Sequence, residues 1–270
     1  MSTQRTNTLG LVIPDITNPF FPSLVQAIEH AARQRGQGIL ITDSHNDVEA
    51  EREGLRMLVD RRVDAILISP THLTDSLEAL IETARAVPVI QVDRVIDETL
   101  PYVRADQSEP IRTIVDHLRA SGRRHLAFIA QQTTIATSTE RETAFIELMG
   151  TVFPDEPVRL VKESMSVESG RPAAREIMTA WPDTDAIICA NDLIAVGVLQ
   201  ELGAYAGRRD VAISGFDDTL LARPLRLTSV RQPVDQMADA ALTAATHPGS
   251  LGGHLAVTLA SEVMLRLSTA

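Results

Sequence analysis

The chain has 270 residues, 44% of them hydrophobic, which is enough material for two packed lobes. Its 25 Lys and Arg residues against 36 Asp and Glu residues give a formal net charge of −11, so we exclude a basic nucleic-acid-binding module. A single cysteine, Cys189, excludes an internal disulfide. No run reaches the ~18 apolar residues of a membrane-spanning helix, and the polar N-terminus is unlike a secretion signal. The expected compartment is therefore the cytoplasm, with no membrane partner.

In the first hundred residues, short runs rich in Val, Ile and Leu alternate with amphipathic stretches of helical spacing. The runs are apolar on both faces, as buried parallel strands are, so the alternation predicts βαβ units around a parallel sheet. In the first amphipathic stretch, Leu24, Ala27 and Ala31 share one face. We predict strands over residues 9–14, 38–43, 65–69 and 89–93 and helices over residues 21–35, 48–61 and 75–86.

The alternation breaks over residues 94–106 and then resumes, which predicts that a second lobe starts near Ala105. Pro248 and Gly249 form a break before a final apolar run over residues 255–265. In this second part we predict strands over residues 126–130, 158–161, 186–190 and 211–216 and helices over residues 109–120, 139–149, 167–180, 192–202 and 234–246.

Polar residues directly follow several of the predicted strands. In open α/β sheets, ligands bind beyond the carboxyl ends of the strands, where helix N-termini offer unpaired N–H groups. Asn and Asp at such positions also cap helices, and this is the alternative role for each residue taken singly. As a set, carboxylates, amides and a guanidinium suit a polyhydroxylated ligand, because sugar hydroxyls both donate and accept hydrogen bonds. The residues concerned are Asp15, Asn18, Asp93, Arg94, Asn191, Asp192, Asp217 and Asp218.

A series of longer motifs runs in a fixed order from residue 9 to residue 233. They are LGLVIPDITNPFF (9–21), RRVDAILISP (61–70), PVIQVDR (88–94), GRRHLAFIA (122–130), STERETAF (138–145), ESG (168–170), CANDLIAVGVL (189–199), VAISGFDD (211–218) and LTSVRQP (227–233). One such motif would be weak, but this many in the right order are specific. Together they resemble the effector domain of the LacI/GalR family of bacterial transcription regulators.

The resemblance implies an α/β, two-lobed, periplasmic-binding-protein-like fold, in which each lobe is a parallel sheet flanked by helices and the chain makes three crossovers. It places residues 8–104 and 231–249 in the N-terminal lobe and residues 105–230 and 250–270 in the C-terminal lobe. It also implies a small-molecule effector in the cleft between the lobes and a homodimer. Operator DNA would be bound only through a helix-turn-helix headpiece, which we expect this sequence to lack.

The implied function is that of a ligand-sensing regulator domain, in which the effector favours a closed arrangement of the lobes and changes headpiece spacing on DNA. The alternative is the periplasmic sugar-binding protein of a transporter, which has the same lobes but needs a secretion signal and is monomeric. GFDD at residues 215–218 and VRQP at residues 230–233 are closer to the regulators. For the dimer, we expect contacts from the face that Leu24, Ala27 and Ala31 share.

The resemblance also assigns candidate ligand-binding residues in both lobes. A solvated charge on a helix is the alternative for Arg141, and core packing is the alternative for Phe20 and Phe21. We expect Arg141→Ala and Asp217→Ala to weaken effector binding roughly 10-fold to 150-fold and to leave the fold intact. The assigned residues are Asn18, Phe20, Phe21, Asp93 and Arg94 in the N-terminal lobe and Arg141, Met165, Asn191, Asp217 and Gln232 in the C-terminal lobe.

Departures from the family pattern bear on the identity of the effector. Met165 stands at a position that is often aromatic, Gln107 stands where the family usually has Asn, and Ala144 replaces a Gly. Gln131 and Gln132 replace a small-residue pair near the cleft. A purine would need an aromatic sandwich, so the predicted effector is a neutral monosaccharide, either a pentose or a hexose.

No constellation of residues in the sequence predicts an enzyme. The seven histidines lack His-x-x-x-His spacing, and no Gly-x-Ser-x-Gly, Walker or Gly-x-Gly-x-x-Gly motif follows a strand. Asp43, Ser44 and His45 adjoin, but their place in a strand-end loop does not make them a triad. Cys189 lies in an apolar strand, which is typical of a small buried hydrophobe. We therefore expect no catalysis, no metal ion and no cofactor.

Overall fold

The structure is a computed structural model that describes residues 6–132, 135–203, 211–246 and 255–270. The strands are β1 (Thr8–Ile13), β2 (Gly38–Asp43), β3 (Ala65–Ile68), β4 (Val89–Val92), β5 (Tyr102–Ala105), β6 (Leu126–Gln131), β7 (Arg159–Glu163), β8 (Ala186–Cys189), β9 (Ala212–Ser214), β10 (Ser229–Arg231), β11 (Ala256–Leu259) and β12 (Glu262–Met264). The helices are α1 (Phe20–Gln34), α2 (Val48–Asp60), α3 (Leu77–Ala84), α4 (Ser108–Ala120), α5 (Ala136–Val152), α6 (Val167–Ala180), α7 (Asp192–Gly203) and α8 (Val234–Thr246). Within the described ranges, no helix is both long and apolar enough to cross a bilayer.

The chain divides into two compact units. Unit 1 comprises Met1–Ala105 and Pro233–Ala260, and unit 2 comprises Asp106–Gln232 and Ser261–Ala270. The chain therefore passes from one unit to the other three times. The first two passages lie within two residues of the predicted lobe boundaries.

The third passage lies at a different place from the one that the sequence predicted. The predicted boundary at residue 249 falls within residues 247–254, outside the described residues, and residues 250–270 were assigned to the C-terminal lobe. That assignment is wrong for β11, which pairs in parallel with β5 and extends the sheet of unit 1. Its partner strand lies far away along the chain, so the local pattern holds no sign of this pairing.

Unit 1 is built around a parallel sheet of order β11-β5-β4-β3-β1-β2. Side chains of β1 alternate between two cores: Leu9 and Leu11 pack in the cluster that contains α1 and α8, and Val12 packs in the cluster that contains α2 and α3. A Cβ atom on Gly10 would lie 2.8 Å from Leu58 Cδ1. Glycine at this position therefore allows α2 to pack closely on the sheet.

The apolar face of α1 packs inside unit 1. Leu24, Ala27 and Ala31 are buried in the cluster that α1 forms with α8. The prediction that this face supplies dimer contacts is therefore wrong, because α8 already covers it. Helical periodicity identifies a face that is buried, but it does not say whether the same chain or a second copy buries it.

Unit 2 contains a parallel sheet of order β7-β6-β8-β9 and an antiparallel pair formed by β10 and β12. Its core lies between this sheet and helices α4 to α7. Helix α5 begins at Ala136 and ends at Val152, so it is longer at both ends than the predicted helix. The sequence pattern did not predict the short strands β5 and β10.

Candidate functional site

The candidate ligand-binding residues fall into one set in each unit. Most of them lie in loops that follow strands, whereas Phe20 and Phe21 begin α1 and Arg141 lies within α5. We call the two sets the Arg94 set, in unit 1, and the Arg141 set, in unit 2. The Arg94 set is Asn18, Phe20, Phe21, Asp93 and Arg94, and the Arg141 set is Arg141, Met165, Asn191, Asp217 and Gln232.

Asp93 and Arg94 follow β4 and form a buried ion pair. Arg94 Nε lies 3.9 Å from Asp93 Oδ2, and Arg94 Nη1 donates to Pro70 O at 3.2 Å. Ser69 Oγ donates to the same Asp93 oxygen at 3.5 Å. The loop after β3 therefore holds both charged side chains in place.

Asn18, Phe20 and Phe21 lie at the start of α1. Asn18 Oδ1 accepts a hydrogen bond from Phe20 N at 3.2 Å. The two rings meet edge to face at 5.1 Å, and Arg94 Cζ lies 5.5 Å from the centre of the Phe21 ring. Both rings are buried in the core of unit 1, so packing accounts for both. That either ring covers an effector stays a prediction.

Arg141 is the centre of the set in unit 2. Its Nε donates to Gln107 Oε1 at 2.7 Å, and its Nη1 donates to Ala190 O at 2.5 Å. Its Nη2 lies 3.7 Å from Asp217 Oδ1, and its guanidinium stacks on Phe216 at 3.6 Å. These contacts fix the guanidinium on the loops that follow β8 and β9.

The structure overturns the alternative role of Arg141 and bears on the expected effect of its substitution. The side chain is 3% exposed, so it is not a solvated charge on α5. That Arg141→Ala leaves the fold intact stays a prediction, but we now expect a loss of stability, because the substitution would leave Asp217 buried without this ion pair. Removal of one partner of a buried pair costs about 3–5 kcal/mol.

Asn191 and Gln232 each use one end of the side-chain amide inside unit 2. Asn191 Oδ1 accepts from Ile194 N at 2.9 Å and so caps α7, and Gln232 Nε2 donates to Asp217 Oδ1 at 2.8 Å. The other ends, Asn191 Nδ2 and Gln232 Oε1, are buried and have no hydrogen-bond partner among the described residues. The set thus offers one donor and one acceptor for a further polar group.

The two acids of the sets have an unusual backbone. Asp93 has φ 70° and Asp217 has φ 97°, both in the left-handed region that favours glycine. Such conformations cost about 1–3 kcal/mol and occur most often where surrounding contacts fix a functional side chain. Met165 has no comparable feature: it is partly buried and packs against the core of unit 2.

Sequence reasoning did not assign three polar residues that bond these sets or hold the loop beside Asp217. Ser69 bonds Asp93, and Gln107 bonds Arg141. Gln107 was noted only as a departure from the family pattern. Because the sequence did not predict β5, it did not show that Gln107 follows the carboxyl end of a strand. Asp192 was marked as a residue after a strand, but it was not included among the candidates. Burial, followed by the charge of Asp217, raises the pKa of Asp192 to about 7.

The adjoining Asp43, Ser44 and His45 do not form a catalytic arrangement. Ser44 Oγ is buried and lies 2.7 Å from Thr71 Oγ1, whereas the His45 side chain is exposed beside Asp43. Burial raises the pKa of the Cys189 thiol well above its ordinary value, which disfavours the reactive thiolate.

Comparison with known proteins identifies the family. Residues 6–248 match the family described as periplasmic binding proteins and sugar binding domain of LacI family. The chain belongs to this family. The predicted LacI-family resemblance and the α/β, periplasmic-binding-protein-like fold are therefore confirmed.

The LacI-family relatives are transcription regulators. The chain is 30% identical over 249 residues to the HTH-type transcriptional regulator CelR of Thermobifida fusca, which covers 87% of this chain and 72% of that protein. It is 28% identical over 234 residues to the ribose operon repressor of Halalkalibacterium halodurans, which covers 84% of this chain and 68% of that protein.

Solved structures of LacI-family regulators have the same fold. A complex of the regulator CelR with cellobiose superposes with a TM-score of 0.84 at 26% identity, covering 98% of this chain and 85% of the other. The Cra regulator of Pseudomonas putida with fructose 1-phosphate superposes with a TM-score of 0.85 at 25% identity, covering 97% of this chain and 100% of the other. This LacI-family chain is thus a ligand-sensing regulator domain rather than the binding protein of a transporter.

Proposed function

We propose that this regulator domain senses a neutral monosaccharide, which it binds through the Arg94 set and the Arg141 set. The observation that carries this proposal is the charge balance of the two sets. Asp93 pairs with Arg94, and Asp217 pairs with Arg141, so each set contains one positive and one negative charge. A sugar phosphate would need cationic groups in excess of carboxylates. A neutral ligand leaves both ion pairs intact.

Hydroxyl groups fit the two amide ends that have no partner among the described residues. Asn191 Nδ2 is a donor and Gln232 Oε1 is an acceptor, and both are buried. A buried polar group without a hydrogen bond costs about 1–3 kcal/mol, and a ligand that supplies the bond removes this cost. A sugar hydroxyl accepts from the one amide and donates to the other. The same argument disfavours an apolar effector.

The test is calorimetry on the wild type, Asn191→Ser and Gln232→Met with neutral pentoses and hexoses, sugar phosphates and purines. Serine keeps the cap of α7 and removes the amide donor. Methionine keeps the length of Gln232 and removes its whole amide, both the acceptor and the donor to Asp217. We expect each variant to bind the preferred sugar about 5-fold to 100-fold more weakly. Asp47→Ser is the matched control, because Asp47 caps α2 and contacts none of the candidate residues.

Two results of this experiment would contradict the proposal. Preferred binding of a sugar phosphate or a purine would refute the neutral monosaccharide. Unchanged affinity in both Asn191→Ser and Gln232→Met, with Asp47→Ser also unchanged, would refute the site.

We also propose that effector binding shifts a two-state equilibrium that controls operator binding. The relatives are named as HTH-type regulators, so DNA binding through a helix-turn-helix headpiece is the expected output. A regulator that binds an operator must be in the cytoplasm, where the DNA is, so we propose this location for the protein. The relatives are regulators and not enzymes, and we propose that this domain likewise has no catalytic activity.

A homodimer is the proposed assembly, and β2 is the proposed contact. This strand pairs only with β1 and forms one edge of the sheet in unit 1 among the described residues. Leu40 is 39% exposed and Ile41 is 46% exposed on this edge. An apolar edge strand has backbone groups and side chains that a second copy of the chain can cover.

A further inference from the structure

Asp192 is a buried carboxyl group behind the loop that carries Asp217. It is the first residue of α7, and its side chain is inaccessible to solvent. Its Oδ2 accepts from Thr219 N at 2.6 Å, and its Oδ1 accepts from the Ser229 hydroxyl at 2.6 Å. Thr219 lies two residues after Asp217, and Ser229 lies on β10. This one side chain therefore ties the loop after β9 both to α7 and to β10.

Three consecutive backbone N–H groups of this loop have fixed acceptors. Asp217 N donates to Val230 O at 2.9 Å, and Asp218 N donates to Ser229 Oγ at 2.9 Å. The third is Thr219 N, which donates to Asp192 Oδ2. Both Asp217 and Asp218 have positive φ, at 97° and 44°, so their backbone needs such contacts to stay in place.

The loop also packs directly against the Asp192 carboxyl group. A Cβ atom on Gly215, at the end of β9, would collide with Asp192 Oδ1. Glycine at position 215 thus makes room for the carboxyl group. An alanine at position 192 would remove both hydrogen bonds and leave this space empty.

We propose that Asp192 is a positioning residue for effector binding, which holds the loop of residues 217–219 so that Asp217 meets Arg141 and Gln232. Asp192 acts through the loop and does not contact the effector. The inference rests on the proposed function, because that function makes Asp217 an effector contact.

Titration of Asp192 provides a readout that a purely structural role would not give. Both protonation states can hold the loop, since the neutral acid accepts from Thr219 N and donates to Ser229 Oγ. An effector that covers the remaining exposed part of Asp217 reduces the solvent screening between the two carboxyl groups, and the stronger repulsion favours the neutral acid at Asp192. Binding should therefore take up a proton and weaken as pH rises through about 7.

The other charged or titratable groups near Asp192 lie on the loop, on β8 and on the arginines that pair with the loop carboxylates. They are Asp217, Asp218, Cys189, Arg141, Arg231 and Arg266.

The first measurement is effector affinity by calorimetry at about pH 5.5, 7 and 8.5, with the preferred sugar of the panel. We expect wild-type affinity to fall about 3-fold to 10-fold over this range, which corresponds to a pKa change of up to about one unit on binding. Asp192→Asn can accept from Thr219 N and donate to Ser229 Oγ, as the neutral acid does, so it should bind like the wild type at low pH and show no such dependence. Asp192→Ala should bind at least about 10-fold more weakly at every pH.

Asp185→Asn is the matched control in the same unit. The Asp185 carboxyl group also accepts two hydrogen bonds, both from backbone N–H groups, those of Arg124 at 2.9 Å and His125 at 3.0 Å. It lies before β8, at the opposite end of the strand from Asp192. We expect this variant to change stability and to leave effector affinity and its pH dependence as in the wild type.

The second measurement needs no effector. Hydrogen–deuterium exchange of peptides that cover residues 216–222 should be faster in Asp192→Ala than in the wild type, and unchanged in Asp192→Asn and Asp185→Asn. If no sugar binds but this pattern appears, the proposed function fails and the positioning of the loop stands. If a sugar binds and Asp192→Ala matches the wild type in affinity and exchange, the inference is overturned while the proposed function stands.

Discussion

At the scale of single residues, the charge of Asp192 should affect the stability of the protein. Burial, followed by Asp217, raises its folded-state pKa to about 7, above the value in an unfolded chain. The folded protein therefore holds the proton more tightly, so the stabilising contribution is fully present below the unfolded-state pKa and is lost as pH rises through about 7. From about pH 5 to pH 8, the free energy of unfolding of the wild type should fall relative to that of Asp192→Asn. The difference is up to a few kcal/mol, at about 1.4 kcal/mol per pKa unit.

Urea titrations of both proteins across this pH range measure that difference, and the other titrating groups cancel because both proteins share them. A difference that stays constant with pH would contradict the raised pKa of Asp192. The same result would remove the basis for a pH-dependent effector affinity.

The positions of Arg94 and Arg141 could be inferred from the sequence, but their contacts could not. The position of each arginine follows from a sequence motif or from its place in the order of strands and helices, and a single sequence is enough to show both. The stacking of Arg141 on Phe216 and its bond to Gln107 join three separate segments, and local patterns do not encode such meetings. Buried charges are also rare enough that a solvated position is the usual expectation for an arginine on a helix.

At the scale of elements, periodic helices and largely apolar strands were predictable, and short strands that contain charged or polar residues were not. Helices such as α2 and α6 have clear faces and clear ends, and the structure has them almost where predicted. By contrast, β5 has four residues and β10 has three, and each exists only because of its partners β4, β11 and β12. The equally short strands β3, β4 and β8 are largely apolar runs that the sequence shows, whereas β5 (YVRA) and β10 (SVR) each contain an arginine and form no such run.

The contact between α6 and α7 in unit 2 depends on two glycines. A Cβ atom on Gly170 would collide with Ile194 O, and one on Gly197 would collide with Val167 O. Each collision is with backbone, which cannot rotate away, so Gly170→Ala and Gly197→Ala should each destabilise the protein by about 1–3 kcal/mol or more.

Gly150→Ala is the control for this prediction. Gly150 lies within α5, and a Cβ atom added to it would have no neighbouring side chain or other segment within 4 Å among the described residues. Alanine should therefore stabilise this helix by about 0.5–1 kcal/mol. Chemical denaturation of the three variants gives the comparison, and a similar midpoint for all three would show that α6 and α7 do not pack this closely.

At the scale of the whole molecule, each unit is formed by segments that are separate in the sequence. This explains why the sequence predicted the architecture but not the place of the third passage between the units. Each unit has its own sheet and core, and composition together with strand order indicates both. Membership of β11 in unit 1 depends on a pairing with β5, which no nearby residue signals. The same limit applies to assembly: the α1 face was a reasonable expectation, and α8 covers it.

The exposed edge of unit 1 therefore gives the prediction for assembly. We expect the protein to sediment as a dimer and Ile41→Lys, on the edge strand β2, to shift it to a monomer, because a buried, unpaired ammonium group in an apolar contact is costly. Ile81→Lys is the matched control: Ile81 lies on α3 of the same unit, is 37% exposed and is not on the sheet edge. This variant should remain a dimer. A wild-type monomer at high micromolar concentration would refute the homodimer, and a dimer of Ile41→Lys as tight as that of the wild type would refute β2 as its contact.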